Sequence, residues 1–229
     1  LYKESYHGWQ SRYDERGNET ATIFIGIDEK PTLMADGYAI MKATFDEHGK
    51  TTLTTYFGVD EEPVLHKEGY HGWSSKYDER GNELVRTFIG LDGKPVVRAL
   101  GFATMKARYD ARGKLIRVTF FDNKDQPVVH KNGYHGWQSQ YDERGNETAT
   151  TYLGLDEKPA PLPSGYVTVK FTYDGRGNII RQTYHGVNDE PVLLKDGYHG
   201  WEATYDERGQ QTNKVYFGID GKPVRAKAG

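Results

Sequence analysis

The sequence of 229 residues has no cysteine and few aliphatic side chains. The lack of cysteine excludes disulfide bonds, thiol catalysis and thiolate-bound metal ions. Leu, Ile, Val and Phe together make up just under a fifth of the chain, a fraction that is typical of disorder when the net charge is also high. The formal charge is only −3, however, and 17 tyrosines and 4 tryptophans are present. We therefore predict an ordered protein with a thin, aromatic core.

Several functional patterns are also missing. No apolar run approaches the roughly 20 residues that span a bilayer, and there is no signal-peptide pattern. Charges of both signs are mixed, so no basic surface for nucleic acid is expected. Neither a nucleophile elbow nor a phosphate-binding or dinucleotide-binding loop occurs. We predict no membrane span in this fragment, no nucleic-acid partner, no enzyme activity, no catalytic residues and no cofactor.

What the sequence does contain is an internal repeat of 32 residues. The stretch Tyr13-Asp14-Glu15-Arg16-Gly17-Asn18 recurs in related form in seven copies without an insertion, which predicts a repeat architecture. The chain begins at Leu1 rather than Met, and its length is seven periods plus five residues, so we expect a single array over 1–229 cut from a longer protein. The repeats span approximately 5–36, 37–68, 69–100, 101–132, 133–164, 165–196 and 197–229.

Each repeat predicts a β-hairpin. Residues 38–45 alternate as a strand does, and residues 19–25 are predicted as the return strand of the first repeat. The Asp-Glu-Arg-Gly stretch fits a type I turn in which Asp accepts backbone hydrogen bonds, so we predict turn capping for this column rather than catalysis or calcium binding. We predict that the aromatic column of the return strands forms a stacked core ladder: Phe24, Tyr56, Phe88, Phe120, Tyr152, Tyr184 and Tyr216.

Odd and even repeats differ in their first strand. Odd repeats open with Tyr-His-Gly-Trp, whereas even repeats have Ala or Val for His and Met or Val for Trp, so the true period is 64 residues. A closed ring of seven could not keep this alternation, and 32 residues are few for a propeller blade. We predict an all-β open array, a β-solenoid or stacked β-hairpins, whose odd and even repeats face different sides. A seven-bladed β-propeller is the alternative.

Two stretches resemble known repeats. Residues 171–178 and 107–114 resemble the YD repeats of bacterial RHS-type proteins, through their Tyr, Asp and Gly columns and the Asn at Asn18, Asn82, Asn146 and Asn178. This resemblance implies a β-strand scaffold of a surface or toxin-associated protein. Residues 216–222 are similar to the hairpin repeats of choline-binding and toxin carbohydrate-binding modules, in which aromatic residues grip sugars or choline. Both imply a bacterial protein at the cell surface or outside the cell, and neither implies an enzyme.

The Tyr-His-Gly-Trp cluster is the candidate ligand element, because exposed rings can stack on sugars or hold a quaternary ammonium. The alternative is that Trp is the large core side chain of odd repeats, as Met41 and Met105 are in even ones. The candidate ligand-binding residues are Tyr6, Trp9, Tyr70, Trp73, Tyr134, Trp137, Tyr198 and Trp201. No second ligand lies at metal-binding spacing, so we predict no metal site and packed histidines at His7, His71, His135 and His199.

Two functions are compatible with these features. The first is a non-catalytic bacterial scaffold that spaces other domains, or that assembles with adjacent repeats or copies of itself. The second is a carbohydrate or cell-wall binding module that uses the odd-repeat aromatics, with a glycan or cell-wall polymer as partner. Both place the protein at the cell surface or outside the cell.

Overall fold

The computed structural model describes residues 6–226, and its regular structure in this range is entirely β. No helix that could cross a membrane occurs among these residues. The strands are β1 (Gly8–Tyr13), β2 (Glu19–Ile25), β3 (Ile40–Phe45), β4 (Thr51–Phe57), β5 (Gly72–Tyr77), β6 (Glu83–Ile89), β7 (Thr104–Tyr109), β8 (Leu115–Phe121), β9 (Gly136–Tyr141), β10 (Glu147–Leu153), β11 (Thr168–Tyr173), β12 (Ile179–His185), β13 (Gly200–Tyr205) and β14 (Gln211–Phe217). The predicted all-β class is confirmed, with two strands per repeat.

The strands follow one another in the sheet in chain order, from β1 to β14, and β1 does not pair with β14 in the part of the chain that the structure describes. Neighbouring strands are antiparallel. Within a hairpin the pairing is long, from Gly8 opposite Ile25 to Tyr13 opposite Glu19. Between hairpins it is short, as in the three residues of β2 that face β3. The open array is confirmed in its stacked-hairpin form, and the propeller is wrong because each hairpin pairs with the next instead of closing separate blades.

The chain divides into two compact units. The N-terminal unit consists of the residues up to Ala107 together with Phe120–Val128. The C-terminal unit consists of Arg108–Thr119 together with the residues from Val129 onward. Within each unit the same hairpin recurs with the same pairing, so one account of a hairpin and its neighbour serves for both.

Odd and even repeats present the same face, contrary to the expectation that they would face different sides. Trp9 lies opposite Phe24, and Thr22 lies opposite Met41. Residues two apart on a strand share a face, and so do directly opposed residues. Trp9, Phe24 and Met41 therefore lie on one side of the sheet. The alternation changes the size of the side chain in one column and leaves its direction unchanged.

The opposite face holds a smaller apolar cluster at the joint between the first two hairpins. In the N-terminal unit Ile23, Ala39 and Ile40 are buried there, and Ile25 and Phe57 pack against them. Ile23 and Ile40 are directly opposed across β2 and β3, so this cluster also bridges two hairpins. The sheet thus buries apolar side chains on both faces. Most of the large rings lie on the face that carries Trp9, Phe24 and Met41, which we call the tryptophan face.

The turn at the Asp-Glu-Arg-Gly stretch, which we call the YD turn, closes each hairpin in the predicted way. Asp14 Oδ1 accepts hydrogen bonds from the backbone N–H groups of Arg16 (3.0 Å) and Asn18 (2.8 Å), and Oδ2 accepts one from the Asn18 side chain (2.8 Å). Gly17 has φ of 84°, in the left-handed region that glycine adopts without strain. Corresponding caps are made by Asp46, Asp78, Asp110, Asp142, Asp174 and Asp206. The capping role predicted for this column is confirmed.

The glycine of the odd-repeat cluster allows an odd hairpin to approach the even hairpin before it. A Cβ atom on Gly72 would overlap the carbonyl oxygen of Thr54, and the same overlap would occur at Gly136 and at Gly200. Even repeats carry a side chain at this position, as in Ile40. At the joint from an even to an odd hairpin this position therefore has no room for a side chain, whereas the reverse joint accommodates one. This difference gives the 64-residue period a physical cause.

We predict that Gly72→Ala lowers the free energy of unfolding by about 2 kcal/mol, because the backbone must shift to relieve the overlap with Thr54. The midpoints of thermal and urea unfolding measure the effect. Gly8→Ala is the matched control, since the nearest atoms to its Cβ would be those of Ile25 at an ordinary 3.7 Å. Equal midpoints for the two variants would contradict the proposed close approach.

Candidate functional site

A row of aromatic rings runs along the tryptophan face and forms the predicted ladder. In the N-terminal unit the centroids of successive rings lie 4.3–6.1 Å apart in the order Tyr6, Phe24, Tyr38, Tyr56, Tyr70, Phe88, Phe102 and Phe120. In the C-terminal unit they lie 4.7–6.2 Å apart in the order Tyr134, Tyr152, Tyr166, Tyr184, Tyr198 and Tyr216. The aromatic residue that opens each repeat is thus a member of the ladder, which the sequence analysis did not predict.

The ladder is buried from Tyr56 to Phe120 in the N-terminal unit and half-buried elsewhere. Tyr56 and Tyr70 are buried, with 4% and 6% of their surface exposed. Burial raises the pKa of the Tyr56, Tyr152 and Tyr184 hydroxyls above the ordinary value, because the phenolate would lose its hydration. The neighbouring ladder tyrosines raise these pKa values further. The ladder is therefore built for neutral tyrosines.

The four tryptophans lie beside the ladder and are not part of it. The ring centroid of Trp73 is 5.8 Å from that of Tyr56 and 6.4 Å from that of Tyr70. Trp73, Trp137 and Trp201 are half-buried, whereas Trp9 is 63% exposed. The sequence analysis offered two alternatives, an exposed ligand-binding ring and a core side chain. Neither describes the tryptophans fully, because the three later rings are partly buried and partly exposed to solvent.

Two tryptophan rings are covered by cations. The Arg86 guanidinium lies 5.4 Å from the centroid of Trp73, and the Lys214 ammonium lies 4.2 Å from that of Trp201. A cation at this distance is attracted by the negative face of the ring. At these two positions a sugar or choline would have to displace a charged side chain before it could stack.

The predicted ligand-binding residues come together in pairs. Each odd hairpin places its Tyr in the ladder and its Trp next to it, as Tyr70 and Trp73 show. An even hairpin then follows before the next such pair, so within each compact unit the pairs are spaced along the sheet and do not converge on one pocket. Ligand binding by these residues stays a prediction.

The histidines are packed where another hairpin precedes them. His71, His135 and His199 are buried, and His71 Nδ1 lies 2.9 Å from the carbonyl oxygen of Val64. The ring of His71 packs edge-on against Phe57, with centroids 5.4 Å apart. His7 is exposed instead, so the prediction of a packed ring is wrong at this position. Among residues 6–226 no group of three or more His, Asp or Glu side chains is placed to hold a metal ion.

A lysine column of the even repeats was missed by the sequence analysis. Lys42 Nζ lies 2.8 Å from a carboxylate oxygen of Glu61 and 4.3 Å from the ring centroid of Phe57. Lys106 and Lys170 form the same ion pairs, with Asp125 and Asp189. The available signal was a Lys every 64 residues with an acid 19 residues later. These pairs are largely exposed, so each contributes little to stability.

The tyrosine of the YD turn ties its hairpin to the hairpin before it. The Tyr77 hydroxyl donates a hydrogen bond to the carbonyl oxygen of Thr51, 26 residues earlier, at 2.9 Å. The same bond, 2.8–3.0 Å long, is made by Tyr141, Tyr173 and Tyr205. The exposed Tyr13 belongs to the first hairpin and has no earlier strand to reach within the described residues. The Tyr of the motif therefore has an inter-repeat role.

The arginine of the YD turn reaches the following turn. Arg144 donates to the carbonyl oxygen of Gly175 at 3.2 Å, and Arg176 donates to that of Glu207 at 3.0 Å. Between two such turns lies a notch of about 340 Å³ whose lining includes Asp142 and Asp174. Both carboxylates accept turn hydrogen bonds, which lower their pKa, the Asn146 and Asn178 side chains having the largest effect. The notch thus contains no carboxylate with a raised pKa that could serve as a general acid.

Comparison with known proteins gives only distant structural similarity. No protein-family model and no curated protein matches the sequence. Among solved structures, a TcdB2–TccC3–Cdc42 complex is similar at a TM-score of 0.34 and 13% identity over 91% of this chain. A Tc holotoxin pore from Photorhabdus luminescens is similar at 0.37 and 14% over 91%. A TcdB2–TccC3 structure gives 0.35 and 12% over 91%.

No family is shown. The chain covers 12% of each of these three solved chains, about an eighth of their length. At such identities and TM-scores the similarity does not establish common membership. What stands of the sequence resemblance is the coarser statement that this is a repeating all-β chain, and the strands themselves establish it.

We predict that Tyr77→Phe lowers the free energy of unfolding by about 1 kcal/mol, because the part-buried carbonyl of Thr51 loses its hydroxyl donor. Urea unfolding of the full chain measures this change. Tyr13→Phe is the matched control and should leave the midpoint unchanged, since its ring is 63% exposed. A comparable loss in both variants would show that the inter-hairpin bond contributes nothing.

We predict that the protein loses stability in alkali, beginning near pH 10. Tyrosine ionises at about pH 10 in an unfolded chain, while the buried ladder tyrosines have higher pKa values. The folded state therefore keeps protons that the unfolded state releases, so the contribution is complete below pH 10 and falls as pH rises above it. Thermal midpoints between pH 8 and pH 11.5, with tyrosinate absorbance, test this. A flat profile would contradict it.

Proposed function

We propose that this chain is a non-catalytic scaffold that spaces or assembles other domains through stacking of β-repeats. A location on or outside a bacterial cell, implied by the sequence resemblance, is part of the proposal. The observation that supports it best is the uniform joint between hairpins. Within each compact unit the same main-chain pairing, the same ring contact and, at most joints, the same tyrosine hydroxyl bond recur from joint to joint.

Uniform joints between hairpins suit an array that resists a pulling force along its length. When each repeat contacts only its neighbours, stability is close to a sum of equal terms for repeats and joints. Along the ladder Phe24 and Tyr38 join one pair of hairpins, and Tyr56 and Tyr70 join the next. Within the two units, the ring centroids that meet at a joint lie 5.8–6.2 Å apart, so the ring contacts are alike from joint to joint.

The polar groups also favour a non-catalytic role. Catalysis needs one asymmetric set of groups whose pKa values are pushed apart. In this chain the acids recur as equivalent turn caps, as Asp14, Asp78 and Asp142 do, and hydrogen bonds lower the pKa of all three. Their repetition favours a structural role over a reactive one.

A carbohydrate or cell-wall binding module is the second candidate. It is favoured by Trp9, whose ring is 63% exposed, and by the half-exposed rings of the later odd repeats. The cations over Trp73 and Trp201 disfavour it, because they occupy the faces on which a sugar would stack.

Stretching the full chain from its two ends in an optical trap tests the scaffold function. We expect successive unfolding events whose length gains are multiples of one repeat, about 110 Å for 32 extended residues. Tyr77→Phe should lower the force of at least one event, whereas Tyr13→Phe should not. Unfolding without measurable resistance would overturn the load-bearing role.

Titration with ligands tests the second candidate on the same protein. Tryptophan fluorescence is followed while chitooligosaccharides, soluble peptidoglycan fragments or choline are added. The scaffold proposal predicts no saturable change. A saturable change that Trp9→Ala removes would favour the binding module instead.

A further inference from the structure

Exposed aliphatic side chains recur at the end of the hairpin opposite the YD turn. Of the thirteen large hydrophobic residues that are exposed in the described part of the chain, eleven fall at two repeat positions. The first, which we call the turn row, lies two residues after the end of the return strand: Ile27, Val59, Leu91, Leu155, Val187 and Ile219. The second, the segment row, lies six residues later: Leu33, Leu65, Val97, Val129 and Leu193.

The fold does not require an aliphatic residue in the turn row. In the first repeat the turn is held by backbone bonds from Gly26 to Lys30 (2.9 Å) and from Glu29 to Gly26 (3.0 Å). The Ile27 side chain is 90% exposed. Turn positions ordinarily favour small or polar residues. An aliphatic row that repeats in such turns marks an interaction surface rather than scattered surface residues.

Both rows run through consecutive repeats without interruption only in the first three repeats. The turn row is interrupted by Asn123, and the segment row is interrupted by Pro161 and Arg225. The uninterrupted part consists of Ile27, Val59 and Leu91 with Leu33, Leu65 and Val97, and all of it lies in the N-terminal unit. A partner that needs both rows would therefore dock on this unit.

The turns that carry the complete rows are acidic. Six acids lie in them, against two lysines, Lys30 and Lys94. The acids are Asp28, Glu29, Asp60, Glu61, Glu62 and Asp92. An anionic lipid surface, or the same rows of a second copy, would bring like charge to this site. A partner with positive charges beside its apolar side chains is complementary.

The distance between successive hairpins along the two rows matches an α-helical partner better than an extended one. Neighbouring strands lie about 4.8 Å apart, so each hairpin advances the rows by about 9.6 Å. Residues seven apart on an α-helix are separated by about 10.5 Å and lie on nearly the same face. An extended strand would need a step of about three residues, roughly 10 Å, and successive contacts would then point to opposite faces.

We propose that the turn and segment rows of the first three repeats bind a cationic amphipathic α-helix with aliphatic residues at heptad spacing. The aliphatic stripe of the helix lies along the two rows, and its lysines or arginines face the acidic turns. Helix-in-groove recognition by apolar anchors at this kind of spacing is a recurrent binding mode. This site goes beyond the scaffold function, because it recruits a partner through side chains that the fold leaves exposed.

The probe is a synthetic 21-residue peptide with Leu at the first and fourth positions of three heptads and Lys and Ala elsewhere. Its binding to the full chain is measured by fluorescence anisotropy. We expect saturable binding that the triple variant I27T/V59T/L91T weakens at least tenfold. A tenfold change corresponds to about 1.4 kcal/mol, shared among the three apolar contacts that the variant removes. The substituted side chains are exposed, and unchanged thermal midpoints confirm that the variant is folded.

The matched control is L155T/V187T/I219T in the C-terminal unit, where the segment row is interrupted. It removes the same kinds of side chain and should bind the peptide as the unchanged protein does. A peptide of the same composition but without heptad spacing should bind at least tenfold more weakly. Equal loss in the two triple variants, or equal binding of the two peptides, would overturn the proposal.

Charge reversal and competing partners complete the test. Glu29→Lys with Asp60→Lys should weaken binding and reduce its dependence on salt. Vesicles containing phosphatidylglycerol should not bind, and sedimentation should show no self-association that I27T/V59T/L91T abolishes. Vesicle binding or such self-association would assign the rows to a membrane or to a second copy, and either result would refute the helix partner.

Discussion

A sheet with no helix packed on it buries its side chains mainly against their neighbours on the same face. In the described part of this chain that constraint is met by large rings, because an aromatic side chain buries much more surface than an aliphatic one. Tyr56 contacts Tyr38 of its own repeat and Tyr70 of the next repeat, and it is nearly inaccessible to water. The ring contacts therefore bury the side-chain surface that a second layer of structure covers in other domains.

The remaining features of the hairpin can be understood from this constraint. A ring ladder holds neighbouring hairpins at a fixed distance, and main-chain pairing between hairpins extends over only a few residues. The far ends of the strands need separate connections, which the Tyr77 hydroxyl bond and the Arg144 turn contact supply. The YD motif is thus both a hairpin turn and a connector between repeats.

Much of this fold could be predicted from the sequence, because its determinants are local and periodic. The turn Asp, the left-handed Gly17, the strand Glu19–Ile25 and the ring column all follow from spacing alone. The facing of odd and even repeats was predicted wrongly, because alternation in composition was taken for alternation in direction. Register decides direction, and register depends on the pairing of Thr22 with Met41, which no single repeat encodes. The role of the opening Tyr was missed because the strand was predicted to begin at residue 38, whereas β3 begins at Ile40. Two-residue alternation therefore placed Tyr38 on the face opposite Met41, although its ring lies in the ladder.

The close contact at Gly72 also constrains how such an array can change in length. A hairpin with glycine fits behind one kind of neighbour, and a hairpin with Ile40 fits behind the other. Deleting or duplicating a single 32-residue segment would bring two hairpins of the same kind together, and two adjacent even hairpins would place a side chain where Gly72 leaves room for the Thr54 carbonyl oxygen. Growth or shortening by recombination is therefore accommodated in steps of 64 residues, so the heritable module of this protein is a pair of hairpins.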